Sequence, residues 1–278
     1  MDRVDLHVHT TASDGSVSPR DVVSMATMLG LKAIALTDHD TMAGLQEAGE
    51  TAALMGISVV PGIEISSAYG GKEVHVLGYF LDPDAAPLQE YLEWVRSTRR
   101  TRNEKILEKL AKKGYQISLE ALERSHPDAV IGRPHIAEAL VEQGAVSSVK
   151  EAFRRYLGEG RSCYVPRELI SLADAASMIR SSGGVAVLAH PLQYGFTRAE
   201  LDGLVKAAAE AKFSGMEILY TGYTQADQNK LYDLAEKYLL YPTGGSDFHG
   251  ESKPEAKLGE PSVPAYMLLM LAQSQYQT

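Results

Sequence analysis

Val4-Asp5-Leu6-His7-Val8-His9-Thr10-Thr11-Ala12-Ser13-Asp14 and, after one helical stretch, Lys32-Ala33-Ile34-Ala35-Leu36-Thr37-Asp38-His39-Asp40 decide the fold. Each begins as a short β-rich run and ends in side chains that bind metals or carry charge. In a strand, residues i and i+2 share a face, so His7 and His9 point the same way. Between the two runs, Ser18-Pro19-Arg20-Asp21 has the signature of a helix start: an N-cap serine, a first-turn proline and an acid at the positive helix end. Val22, Val23, Ala26 and Leu29 supply its apolar stripe, and Gly30 closes it.

The same alternation continues outward. Strands are expected at Ile57–Ile65 and, after the Gly70-Gly71 turn, at Glu73–Phe80, with a helix over Thr41–Met55. Later, Ser171–Ser182 reads as a helix, Val185–Ala189 as a buried strand, and Thr197-Arg198-Ala199-Glu200 as a capping box before a long helix. Gly215–Tyr220 and Leu239–Gly245 read as strands on either side of a helix opened by Thr224. Such β/α alternation predicts an α/β chain with a parallel sheet or barrel and its active residues on one rim. The expected division is a barrel from 1–87 and 161–278, interrupted by a helical insertion over 88–160. Ten of the fourteen arginines lie between Arg96 and Arg167. The run Arg96–Arg102 reads as a solvated helix face.

The chain has 278 residues and a formal net charge of −9. That acidity argues against duplex nucleic acid as a partner, because non-specific binding depends on Lys/Arg neutralising phosphates. Cys163 is the only cysteine, so an intrachain disulfide is excluded. No apolar run approaches a membrane span, and Met1-Asp2-Arg3 lacks the order of a signal peptide; a cytoplasmic location and no membrane partner are expected.

Seven of the eight histidines sit in short motifs at strand ends or loops: His7, His9, His39, His75, His135, His190 and His249. Taken singly, each is more commonly a core or surface residue. Jointly they accompany Asp14, Glu64 and Asp247, so that nearly every expected strand delivers a donor toward one rim. Mixed imidazole and carboxylate donors suit Zn, Mn or Fe rather than Ca or Mg. Gly132-Arg133-Pro134-His135 precedes another apolar helix pattern. Arg133 and His135 then stand at a helix start, where free N–H groups favour anions and arginine adds a bidentate donor. Arg167 is a further candidate for the same phosphate-binding corner.

The segments His7-Val8-His9-Thr10, Thr37-Asp38-His39-Asp40, Gly62-Ile63-Glu64-Ile65, His75-Val76-Leu77-Gly78-Tyr79, Ala189-His190-Pro191 and Ser246-Asp247-Phe248-His249 resemble those of the polymerase-and-histidinol-phosphatase (PHP) family. The resemblance spans the chain and implies a distorted (β/α)7 TIM-like barrel, here with a helical insertion. It implies a metal-dependent phosphoesterase with three divalent ions (Mn²⁺, Fe²⁺ or Zn²⁺). The first would be held by His7, His9, Glu64 and Asp247, and the second by Asp14, His39 and His249. The third would be held by His75 and His190, with Glu64 bridging. Three carboxylates facing three divalent ions leave such a site net positive, so an acidic chain still attracts phosphate there.

The implied reaction is hydrolysis of a phosphomonoester by a metal-bridging hydroxide, since metals bring the pKa of bound water from 15.7 to about 7. His190 or a metal-bound water is expected to protonate the leaving oxygen, and Asp38 is expected to orient a neighbouring ligand. The family's small stand-alone members point to a nucleotide substrate. This would be the 3′-phosphate of nucleoside 3′,5′-bisphosphates or a short 5′-phosphorylated oligonucleotide. Histidinol phosphate and cyclic phosphodiesters are the alternatives on the same fold. A non-catalytic partner module of a polymerase is the alternative of another class.

Overall fold

The computed structural model describes residues 2–126 and 131–275. The chain divides into two compact units, Met1–Tyr91 with Leu169–Thr278, and Leu92–Glu168.

The units break after Tyr91 and before Leu169, four and eight residues beyond the expected boundaries at 87/88 and 160/161, and the first unit holds the barrel. Among the described residues, seven longer strands build it: β1 (Arg3–Val8), β2 (Ala33–Leu36), β3 (Ser58–Tyr69), β4 (Lys72–Tyr79), and, after the two-residue β5 (Ile170–Ser171), β6 (Val185–Leu188), β7 (Gly215–Tyr220) and β8 (Tyr241–Gly245). A two-residue β9 (Val263–Pro264) pairs antiparallel with β1. Helices α1 (Pro19–Met28) and α2 (Leu45–Met55) belong to this first unit, and α3 (Ala86–Ala111) carries the chain into the second. The expected caps are present. The Ser18 hydroxyl accepts the Asp21 N–H at the start of α1. The helix α2 begins at Leu45 rather than Thr41, because Thr41 uses its hydroxyl to accept the Ala43 N–H in a preceding turn.

The sheet is not parallel throughout. Strands β1, β2 and β3 run parallel to one another, as do β6, β7 and β8, but β4 runs antiparallel to both β3 and β6. The cause is local: Gly70 and Gly71 both take positive φ, and this makes β3 and β4 a hairpin where a βα crossover would have kept them parallel. Reversal puts the first half of β4 beside the last half of β3, with His75 opposite Ser66. A histidine early in its strand thereby reaches the rim that the other strands reach at their ends.

The order β8-β7-β6-β4-β3-β2-β1 is closed by the chain just beyond β8. Asp247 N–H donates to the His7 carbonyl at 2.8 Å, and His9 N–H donates to the Phe248 carbonyl at 2.9 Å. Closure needs Gly245, because a Cβ there would collide with the backbone and Cβ of His7. Val4, Leu6, Ala33, Ala35, Leu77, Val185 and Val187 form one apolar core with Met267 and Leu271. The last two come from the C-terminal helix (Ala265–Ser274), so that apolar stretch packs on the barrel, while its Leu269 is exposed.

The second unit is helical. Short helices, including Leu119–Ser125 and Arg133–Glu142, surround a core of Ile106, Leu110, Ile136, Leu140, Leu157 and Cys163. Arg100 is 2.5 Å from Glu123 and 3.3 Å from Glu104, and Arg102 donates to the Val165 carbonyl. The arginine run expected as a solvated face is therefore partly committed to holding this unit together. Among the described residues no helix is long and apolar enough to cross a membrane.

Replacing Gly245 by Ala is expected to cost about 1–3 kcal/mol or more, since the neighbouring β1 backbone has no room to retreat. Gly49, inside α2 with nothing within 4 Å of a built Cβ, is the contrast. Gly49→Ala should gain about 0.5–1 kcal/mol. Urea denaturation of both variants checks the pair, and equal midpoints would contradict this account of closure.

Candidate metal centre

His7 and His9 leave β1 on one face with their Nε2 atoms 3.1 Å apart. Glu64, in the middle of β3, places Oε2 at 3.3 Å from His7 Nε2 and 3.1 Å from His9 Nε2. Asp247, two residues beyond β8, places Oδ1 at 3.4 and 3.3 Å from the same two nitrogens. A regular tetrahedron with edges of about 3.3 Å has its centre about 2.0 Å from each corner, which is the bond length of zinc to imidazole nitrogen and carboxylate oxygen. Five of the six distances among the four donors thus match the spacing of ligands around one ion, and all four donor atoms lie within 4.8 Å of one another. Paired as bare groups, two imidazole nitrogens and two carboxylate oxygens facing one point make poor hydrogen-bond geometry, and the Nδ1 atoms of His9 and His39 and of the neighbouring His190 are buried without a hydrogen-bond partner.

Two further donor groups adjoin this quartet. His9, Asp14, His39 and His249 bring one donor atom each within 4.8 Å of one another, and so do His39, Glu64 and His75. His249 Nε2 lies 3.3 Å from Asp14 Oδ1. Glu64 divides its oxygens: Oε2 faces His7, His9 and His39, while Oε1 faces His75 Nδ1 at 2.8 Å and His190 Nε2 at 2.9 Å. All nine side chains expected to bind metal therefore lie in one cluster. His190 falls outside the third donor group, which contains His39 in its place, although it meets the same Glu64 oxygen.

The backbone is strained where the cluster is tightest. Asp40, His190 and Asp247 take positive φ without being glycine. Such conformations persist only where surrounding contacts over-determine them.

Several supporting residues went unnoticed in the sequence. Glu217, fully buried in β7, accepts from His7 Nδ1 at 3.1 Å and from the His190 N–H at 2.8 Å. Asp5 accepts from the backbone N–H groups of His7, Ser246 and Gly259, joining β1 to the segments after β8. Both are acids inside otherwise apolar strand segments, and that was the available signal. Tyr220 and Lys253 contact Asp247. Asp38 accepts from the Thr10 N–H, the Thr10 hydroxyl and the Ser13 hydroxyl, so it anchors the loop that carries Asp14. Asp40 accepts from the Tyr91 hydroxyl at 2.6 Å.

Burial and charge oppose one another here. Burial alone would lower the histidines, but Glu217, Asp247 and Glu64 hold His7 well above its ordinary value. In the same way His9 is raised to about 9 by Asp247 and Glu64, and His75 to about 10 by Glu64 and Glu73. His39 goes the other way: burial pulls it to about 4 against the attraction of Glu64 and Asp14. Burial would raise Asp14, Glu64 and Asp247, but the surrounding histidines hold all three below the ordinary carboxylate range.

The candidate phosphate corner lies in the helical unit. His135 Nδ1 accepts the Gly132 N–H at 3.0 Å, so the ring caps its own helix. The Arg133 guanidinium lies 5.6 Å from the ring centres of both Phe153 and Tyr164 and donates to the Leu157 carbonyl at 3.3 Å. Arg167 is half-buried in the last segment of the unit.

A closed barrel with a rim of interlocking imidazole and carboxylate donors defines a protein able to hold divalent metal. The chain belongs to the PHP domain family, whose model matches residues 5–182, and it is a metal-dependent phosphoesterase. It is 34% identical over 261 residues to a 3′,5′-nucleoside bisphosphate phosphatase of Chromobacterium violaceum, covering 93% of this chain and 91% of that protein. It is 35% identical over 247 residues to a 5′-3′ exoribonuclease of Haemophilus influenzae, covering 89% and 90%. A solved structure from Bifidobacterium adolescentis superimposes with a TM-score of 0.86 at 30% identity, covering 98% of this chain and 96% of that one.

Two outcomes are expected. Glu217→Ala leaves the His7 Nδ1–H and His190 N–H unpaired in a buried place, at about 1–3 kcal/mol each, measurable by urea denaturation of metal-free protein. The second concerns pH. His9 and His75 hold protons up to about 9 and about 10 when folded, against 6.5 ordinarily. Their stabilisation of metal-free protein is complete below pH 6.5 and is lost as pH rises through those folded values. Lowered His39 adds a cost below pH 6.5, and the depressed carboxylates lose their contribution as pH falls through their folded values. The melting temperature of stripped protein should therefore fall from neutral pH toward pH 10. Divalent metal, which displaces those protons, should raise it most at the alkaline end. A stripped protein whose melting temperature rises over that range would contradict the assignment.

Proposed function

We propose that the chain hydrolyses a phosphomonoester, with the 3′-phosphate of nucleoside 3′,5′-bisphosphates as its principal substrate and short 5′-phosphorylated oligonucleotides as a second. The observation that carries the reading is Glu64, whose two oxygens face five histidines from both sides of the barrel. This is the arrangement of a bridging carboxylate. We assign His7, His9, Asp14, His39, Glu64, His75, His190, Asp247 and His249 as ligands of three divalent ions, with Mn²⁺, Fe²⁺ or Zn²⁺ suited to the donor set. When bound, such ions supply Lewis acidity toward water and toward the phosphoryl oxygens.

The chain's own residues do the rest. Glu217 fixes the orientation of His7 and the backbone of His190. Asp38 holds the Asp14 loop, so it positions rather than touches substrate. His190 is assigned beside the leaving oxygen. Arg133, His135 and Arg167 are assigned to binding the phosphate that is not cleaved, on the chemistry of a guanidinium and a helix start. The reading is supported by the bisphosphate phosphatase relative, and the oligonucleotide activity by the exoribonuclease relative.

The deciding experiment is a phosphate-release screen of Mn²⁺-loaded protein. It would include nucleoside 3′,5′-bisphosphates, histidinol phosphate, 5′-phosphorylated RNA and a cyclic phosphodiester. The highest kcat/KM is expected for the bisphosphate, and a higher value for any other ester reassigns the substrate. Stripped protein that retains full rate removes the metals from the reaction. Arg133→Ala should raise KM for the bisphosphate by an amount equivalent to about 1.5–3 kcal/mol, the worth of a hydrogen bond to a charged group.

A further inference from the structure

Asp247 offers the quartet only one of its oxygens. Its Oδ2 is occupied by two other groups: the Lys253 ammonium at 2.5 Å and the Tyr220 hydroxyl at 2.7 Å. The ammonium also donates to the Tyr220 oxygen at 2.8 Å, which closes a triangle of three side chains. Lys253 lies 5.2 Å from the centre of the Tyr220 ring, within cation–π range. Tyr220 ends β7, and Lys253 directly follows the short turn Gly250–Ser252. Neither residue belongs to the nine assigned ligands.

We infer that Lys253 and Tyr220 are positioning residues that fix Asp247 as a one-oxygen ligand. The inference rests on the metal-centre reading above. A free carboxylate has two oxygens and can present either or both. With Oδ2 clamped, only Oδ1 remains, and it stands 3.4 Å from His7 Nε2, 3.3 Å from His9 Nε2 and 3.4 Å from His249 Nδ1. The clamp also offsets a repulsion. Asp247 and Glu64 point two negative charges at one place, and Lys253 supplies a positive charge on the far side of one of them. The backbone at Asp247 is the third constraint, since its positive φ is held by the hydrogen bond from its N–H to the His7 carbonyl.

Positioning and simple repulsion of a cation by the ammonium predict opposite signs. If Lys253 only repelled the metal, its removal would tighten binding. If it positions Asp247, removal loosens binding. The experiment is zinc retention by stripped and reloaded full-length protein against a chelator-buffered series, counted by elemental analysis. It compares wild type with Lys253→Met, Tyr220→Phe and Lys253→Arg. Lys253→Met and Tyr220→Phe should hold the first zinc about tenfold to a hundredfold less tightly, the usual effect of losing a partner that orients a ligand. Lys253→Arg should restore most of the loss. Lys253→Met and Tyr220→Phe, which leave the buried Asp247 oxygen short of a partner, should lower the metal-free melting temperature, so zinc retention is compared at a temperature where each stripped variant is folded. Lys253→Met that binds zinc as tightly as wild type, or more tightly, overturns the inference alone. Wild type that holds no zinc overturns the metal-centre reading with it. If Lys253→Met fails to fold, Tyr220→Phe decides by the same measure.

Discussion

The Glu64 carboxylate is buried at the centre of the barrel rim and faces five imidazole rings. A lone carboxylate in such a place is costly, and so is each uncompensated histidine charge. The surroundings resolve this by mutual pairing. Protons on His7, His9 and His75 balance the acids in the metal-free chain, and on the proposed ligand assignment cations would replace those protons. Most of what lies nearby serves to keep that exchange possible. Glu217 and Asp5 hold strand ends from behind, and Asp38 ties down the Asp14 loop.

Glu64 can take this position because of how the sheet is built. It lies in β3, whose second half forms a hairpin with β4. The reversal of β4 breaks the parallel order and brings His75 to the other oxygen of Glu64. In a strictly parallel barrel a histidine in the middle of β4 would have stopped short of the rim that the other strands reach at their ends. The irregularity of the barrel and the exposure of both Glu64 oxygens to histidines are thus one feature.

Much of this was legible in the sequence, for a local reason. His7 and His9 share a strand face by spacing alone. Ser18, Thr197 and Thr224 announced their helices through caps that depend on three or four neighbouring residues. The direction of β4 was not legible from alternation, because its apolar pattern reads equally well in either direction. The late start of α2 was hidden by Thr41, whose hydroxyl competes for a backbone donor. Glu217 and Tyr220 were hidden because their partners lie far off in sequence, and Lys253, six residues from Asp247, because the turn that brings the two together has no motif of its own. Arg133 and His135 were found together at a helix start, but the ring of His135 proved to cap that helix itself.

The quartet also has a consequence in time. His7 and His9 are made early, whereas Asp247 is separated from His7 by about 240 positions, a span whose closure carries an entropic cost that grows only slowly with length. During synthesis the early histidines would emerge without the acid that completes their set. The full set of donors assembles only once the chain beyond β8 has docked on β1 through the His7 and Phe248 carbonyls. Metal held by all four residues would therefore record that the barrel had closed, and the ion would act as a latch on the last join of the ring rather than as a seed for the first.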